Sequence, residues 1–460
     1  MSLKVLLLLA NTAQAATVEV SPGDDLAALT SSLQAGDVVS FEEGIYPLDS
    51  RLNLSELLGT EDAPIVLEGI GEVWLELSGS GRTLVLSDSA HVQFKNLGFR
   101  GTPGAETQPE GLQIARSDDI LVEDCRFEDL GGTAIYFSGD TDSAVIRGNR
   151  IQRLANNHGI YLGCSDASCW STGALVEQNL VTDLSGEWSQ GIVVENGGTD
   201  NTVRDNVVAD ITGIGIRVRS TEYSDPNVVE GNAVWQTWEG MVIEGAAVVR
   251  NNVVFCTEQE GIIARATREA FEEVVIANNT VVDTGEWAIY LEDWELGSGH
   301  VLANNALSNP VGQALYLREP APDALFVGNI VTGLVQGLED GFVPGGGFGD
   351  FLDVEHAQLY PSQNSPLLAA GEGMAEAWVP AQDFNGVDRE GTAPGVGAYE
   401  WVHPENPGWW IQKDFKELGY DETLLVNELE GCGGGRAAGL ALVAMLGLLG
   451  LGRWRETMQH

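Results

Sequence analysis

Short runs of alternating apolar and polar residues recur along the chain, each opened by glycine or alanine. Clear copies are GLQIAR at 111, GIYLG at 159, GIVVEN at 191, GIRVRS at 215, GMVIEG at 240 and GIIARA at 261. Looser copies are AIYFSG at 134, AIYLED at 288 and ALYLRE at 314. A period of two over four or five positions predicts strands rather than helices. After each run comes a second block built around an asparagine: Asn149, Asn179, Asn206, Asn232, Asn252, Asn279, Asn305 and Asn329. Cys125 and Leu97 stand in the same column of earlier copies. A spacing of roughly 24 to 30 residues marks a stacked repeat array.

Three short strands per repeat, punctuated by glycine and Asx residues, predict an all-β chain wound as a parallel β-helix, a solenoid of about ten rungs over 65–335. Identical columns then stack about 4.8 Å apart. Ile and Val columns face inward as one continuous core. The asparagines are expected at a tight turn between the second and third strands, tolerating a left-handed backbone and bonding their copies one rung away. That makes them structural rather than catalytic.

The Gly-Ile-x-Val and Val-x-x-Asn-x-Val patterns resemble the right-handed parallel β-helix repeat of pectate-lyase-like proteins. LQAGDVVSFEEGIYPL (33–48) with TEDAPIVLEG (60–69) is similar to the first turns of secreted polysaccharide lyases of that superfamily. SPLLAAGEG (365–373) followed by DFNGVDREGTAPGVGAYEW (383–401) resembles the choice-of-anchor segment that closes many bacterial surface β-helices. The resemblance covers most of 17–401 and implies a polysaccharide partner, handled on the first sheet. On this basis 16–64 forms an N-terminal cap with the first strands, 65–335 the repeats, 336–401 a closing segment and 402–431 a linker.

The termini add a compartment. Lys4, the apolar run Val5–Ala10 and Ala13-Gln14-Ala15 read as an export signal over 1–15, with a buried first strand as the alternative. Near the other end, GCGGG with Cys432, an apolar run from Ala437 to Gly452, then Arg453 and Arg455 resemble a myxobacterial-type sorting tail over 432–455. A plain membrane helix is the alternative, although the run is shorter than a relaxed span of roughly 20 residues. The expected place is the cell surface or outer membrane of a Gram-negative bacterium, as a monomer held to the membrane by the tail. Export permits disulfides, and Cys164 and Cys169, in one short loop, are expected to pair. Cys125 and Cys256 sit several rungs apart and read as buried small hydrophobes.

Charge narrows the partners. With 68 acidic against 23 basic residues the formal net charge is −45, which repels nucleic acid and anionic membrane surfaces. Against that background, four arginines gather on the first strand of the repeat. In each copy the third and fifth positions are expected to face solvent. The fifth-position column ends Glu195, Arg219, Glu244, Arg265, Glu292, Arg318, alternating in sign, and the third carries Tyr161, Arg217, Tyr290 and Tyr316. Two readings fit: a cross-strand salt-bridge ladder, or a substrate groove in which Tyr161, Arg217, Arg219, Arg265, Tyr290 and Glu292 hold a glycan. Trp188, Trp238 and Trp287 fall just before strands and Trp294 just after one. They either stack on sugar rings or pack loops onto the rod. His158 opens the same face and suits either acid–base work or a turn. Glu195 and Glu244 are the candidate carboxylate pair, about 10 Å apart by rung spacing. Glu195, Asn196 and Glu244 together offer oxygen ligands suited to calcium. Polygalacturonase-type Asn-Thr-Asp and Gly-His-Gly elements are absent, and Lys95, the only lysine in the rungs, lies far from the arginines. Binding or cleavage of an extracellular polysaccharide is the leading expectation, and a non-catalytic adhesion rod the alternative.

Overall fold

The computed structural model describes residues 15–416 apart from 27–32, 104–106, 221–224, 267–270, 369–370, 372–377, 379, 390–394 and 401–407. The expected export signal up to residue 14 and the expected tail at 432–455, with Cys432, lie outside the described residues.

The chain is a right-handed parallel β-helix. One face is a 13-stranded parallel sheet running from Thr17–Val20 to Leu325–Val327. The stacking therefore begins well before residue 65: Thr17–Val20 already pairs with Val38–Phe41, and that strand with Ile65–Gly69. The other two faces, the first built from the strands that open each repeat and the third from those that follow each asparagine, join into one sheet because strands such as Val207–Arg219 and Ala233–Glu244 run through the corner between them. Two short 3-10 turns, Trp294–Leu296 and Gly347–Asp350, interrupt the later coils.

The inward column of the first face, Ile160, Ile192, Ile216, Met241, Ile262, Ile289 and Leu315, is wholly buried. Full burial of such side chains contributes about 1.5–3 kcal/mol each. Ahead of it stands the repeat glycine. A Cβ on Gly240 would lie 2.3 Å from the carbonyl oxygen of Gly261, and one on Gly191 2.5 Å from that of Gly215. Neighbouring coils approach too closely there for any side chain. Because glycine and the following isoleucine are both buried, strand alternation breaks at the glycine. The residue before it therefore faces outward with the third position, as His158 and Tyr161 do.

The asparagines stack as expected. Nδ2 of Asn179 donates to Oδ1 of Asn206 at 2.9 Å, and Asn206 to Asn232 at 3.0 Å. The ladder runs unbroken from Asn149 to Asn329, every member at 0% exposure. One detail corrects the sequence expectation: the left-handed residue is the one before each asparagine, among them Gly148, Gln178, Asp205, Gly231, Asn251, Asn278 and Asn304, with φ between 53 and 66°. That residue turns the corner. The asparagine itself points inward, where its amide satisfies backbone groups water cannot reach.

The described residues within 347–416 fold back along the third face of the rod. Outward positions there change from Glu76, Arg100, Glu128 and Gln152 to Ala209, Trp235, Phe255 and Val282 in later coils. The apolar part forms a second core with Phe351, Leu359, Tyr360, Phe384, Val396, Tyr399 and Ile411. Distant ion pairs pin it: Arg150 to Asp414 at 2.6 Å and Lys416 to Asp205 at 2.5 Å. Cys164 and Cys169 are disulfide-bonded, with Cα atoms 5.3 Å apart. Cys125 is a buried thiol, as expected, whereas Cys256, expected to be one, is buried and disulfide-bonded.

Candidate functional site on the first face

Cross-strand register places Glu195, Arg219 and Glu244 side by side on successive coils. Arg219 reaches Glu195 Oε2 at 3.1 Å through Nη1 and Glu244 Oε2 at 2.6 Å through Nε. Arg217 adds two bonds to the same Glu244 oxygen, at 2.9 and 2.7 Å, and Arg265 reaches Oε1 at 3.0 Å. Arg318 pairs with Glu292. The alternating column is thus a real ladder, but its centre is not an exposed one. Glu195 and Glu244 are buried, the side chain of Glu244 completely, and those of Arg217 and Arg219 are only 14% and 20% exposed. The outward positions Val193, Val242 and Ile263 are buried too. Burial pushes the Glu244 carboxyl upward, but Arg217, Arg219 and Arg265 outweigh it and hold it below the usual range.

Alternation of sign does not itself mark a binding face. A second ladder, missed in the sequence reading, runs along the 13-stranded sheet: Glu68, Lys95, Glu123, Arg147, Glu177, Arg204, Glu230, Arg250. Arg204 sits 2.6 Å from Glu177 there, and Arg250 2.7 Å from Glu230. Such ladders stabilise stacked coils wherever a column faces solvent.

The calcium set does not fit its proposed ion. Both oxygens of Glu244 accept from guanidinium groups, Arg219 lies between the two carboxylates, and the Asn196 amide donates to the Ser165 carbonyl at 2.7 Å. The charge a cation would neutralise there is already neutralised by arginine.

His158 does join this network. Its ring stacks on Tyr161 with centroids 4.7 Å apart, and Tyr161 meets Tyr136 edge-on at 5.3 Å. Burial pushes the imidazole pKa down to about 4; Glu195 opposes this and Arg217 adds to it. Such a ring is neutral at pH 7 and poorly matched to proton transfer there. Its Nδ1, like Oε1 of Gln190 on the adjacent strand, is buried without a hydrogen-bond partner among the described residues.

The residues that sequence reasoning missed lie in the His158 column. Register carries it through Gln190, Ile214 and Glu239, and one strand on to Glu260, whose carbonyl accepts from the Gly240 amide at 3.0 Å. Burial raises the Glu239 carboxyl, against the pull of Arg265 and Arg217. Burial likewise pushes Glu260 up to about 7, reinforced by Glu286 and Glu239. Reading every residue before the repeat glycine, rather than His158 alone, would have exposed this row.

Aromatic rings flank the charged centre. Toward the C-terminal coils, Tyr316 stacks on Trp287 at 4.8 Å and on Tyr290 at 5.2 Å. The tryptophans divide: Trp188 and Trp238 are 63% and 45% exposed, whereas Trp287 and Trp294 are buried and pack the rod. A cavity of about 400 Å³ lies elsewhere, between the second ladder and residues 380–388.

A family described as "Right handed beta helix region" matches residues 76–254 and again 156–331, together more than half of the chain. No curated protein matches the sequence. Among solved structures, the pectate lyase Pel9A is 13% identical over 84% of this chain and 96% of its own, with a TM-score of 0.51. A mannuronic-acid-specific family 6 polysaccharide lyase from human gut microbiota is 18% identical over 72% and 90%, with a TM-score of 0.46. An alginate lyase from Paenibacillus is 13% identical over 70% and 99%, with a TM-score of 0.42. At such identities the likeness is one of fold.

Proposed function

We propose, for a chain that belongs to the right-handed β-helix family, that the first face binds an extracellular polysaccharide and cleaves it, with Glu260 as the proton donor. The observation that carries this reading is the Glu239–Glu260 pair: adjacent carboxyls on one column, both held toward the protonated form, beside Arg217 and Arg265. A carboxylic acid that keeps its proton to about pH 7 can deliver it to a departing sugar oxygen. The flanking rings extend the site. From Tyr136 to Tyr316 the column crosses seven strand spacings, roughly 35 Å, a length suited to a chain rather than a single sugar. The polysaccharide lyases among the structural neighbours are consistent with this class of partner. Export through 1–15 and surface attachment through the apolar tail over 432–455 complete the proposal. Fractionation of cells expressing the whole chain tests that part: recovery in the cytosol would overturn it.

The second reading, a structural or adhesion rod, is favoured by the second ladder, which shows that paired charge columns arise here without any first-face role. One experiment separates the two. The protein is incubated with a panel of polysaccharides, and both new reducing ends and unsaturated products are followed. The proposal expects product from at least one glycan, and a loss of roughly 10²-fold or more in Glu260→Gln. No product from any glycan, with or without binding, leaves the rod.

A further inference from the structure

We infer that the glycan taken by the first face is uncharged, because the guanidiniums among the described residues of that face already hold carboxylates and further carboxyls, Glu239, Glu260 and Glu286, lie beside them. This rests on the reading of the face as a glycan site and names the substrate class.

A uronate or sulfate would seek Arg217, Arg219 or Arg265. All three hold Glu244, and Arg219 holds Glu195 as well. Drawing one of them onto a ligand would weaken the pairing of a carboxylate whose side chain has no solvent exposure, and a buried charge that loses its partners is strongly disfavoured. Arg318 is held by Glu292, and Arg82, over the Tyr136 ring, by Glu110 at 3.2 Å. Around this centre lie Glu239, Glu260 and the exposed Glu286, and the first and last of these add to the burial that raises the Glu260 pKa. An incoming anion would join that repulsion. At long range the chain's net charge of −45 opposes a polyanion before it docks. What the face does offer is suited to neutral sugars: aromatic rings at both ends, two exposed indoles beside the strands, and acid groups able to hydrogen-bond hydroxyls.

The test is affinity electrophoresis of the full chain at pH 7.5 in gels containing neutral polysaccharides (xylan, galactan, mannan, β-glucan) or polyanions (polygalacturonate, alginate, a sulfated galactan). At least one neutral polymer should retard the protein, with every polyanion at least roughly tenfold weaker. Trp238→Ala removes an exposed ring and should weaken retardation by the neutral polymer. Glu260→Gln with Glu286→Gln should narrow the discrimination against polyuronate. Retardation by a polyanion equal to or stronger than by any neutral polymer overturns the inference and leaves the proposed function standing. No retardation by any polymer, or retardation untouched by Trp238→Ala, overturns both.

Discussion

Arg217 donates two hydrogen bonds to one oxygen of Glu244, at 2.9 and 2.7 Å, and the glutamate it holds has no solvent-exposed side-chain surface. Strand alternation alone would make both residues solvent-facing and their pairing worth about 0–1 kcal/mol. Burial changes that value. Arg217→Ala leaves Glu244 with Arg219 and Arg265 but strips the donor that gives it two hydrogen bonds. The expected loss is about 3 kcal/mol, the low end for breaking a buried pair. Arg318→Ala, at a half-exposed arginine, should cost less than about 1 kcal/mol. Chemical denaturation of both variants checks the contrast, and equal losses would refute it.

The asparagine ladder gives a second expectation. Oδ1 of Asn206 accepts from both the backbone and the amide of Asn179, each within 3.0 Å. Asn206→Ala removes that acceptor inside the rod, where water does not replace it. The cost should be about 1–3 kcal/mol per donor left unsatisfied. Asn206→Asp keeps an acceptor but buries a carboxylate, and should fold no better than the alanine variant.

Docking of 347–416 on the third face predicts a large effect from a residue that alternation would place in solvent. Trp235 is outward-facing yet at 0% exposure, stacked on Phe255 at 5.5 Å. Trp235→Ala should cost about 3–5 kcal/mol and raise the rate of limited proteolysis within 347–416. A change under about 1 kcal/mol would mean that this segment leaves the rod in solution.

The shifted acids set two pH dependences of opposite sign. Glu260 has a folded pKa raised to about 7, so its contribution to stability is full below the unfolded value near 4.5 and is lost as pH rises through 7. Turnover that needs its proton should fall over the same upper limb, and that limb should vanish in Glu260→Gln. His158 has a folded pKa lowered to about 4. Its contribution is present above the unfolded value near 6.5 and is lost as pH falls toward 4. His158→Gln should therefore flatten the acid side of the stability profile between pH 6.5 and 4. Glu244, whose folded pKa is lowered, loses its contribution in the same direction at lower pH. Denaturation midpoints across pH 4 to 8 read both limbs.

Much of this was legible along the chain. Apolar alternation, the repeat period and the asparagine column are translational regularities: each coil meets the same neighbours, so one repeat determines its copies, and Cys164 and Cys169 are local enough to pair in any fold. The sequence also determined which residues share the first-face columns beyond each glycine. The tertiary structure decided the rest. Gly240, packed against the carbonyl of Gly261, breaks the alternation and brings Glu239 onto the face of Arg217. Described residues of 347–416, distant in sequence, turn an outward column into a second core around Trp235. The ionic state of Glu244 and Glu260 follows from burial and from carboxyls and guanidiniums about 20 to 30 residues apart that meet only when coils stack. A pattern of polar and apolar letters sets which way a side chain points. It does not set how much water remains around that side chain, and here desolvation separates a paired carboxylate from one that keeps its proton.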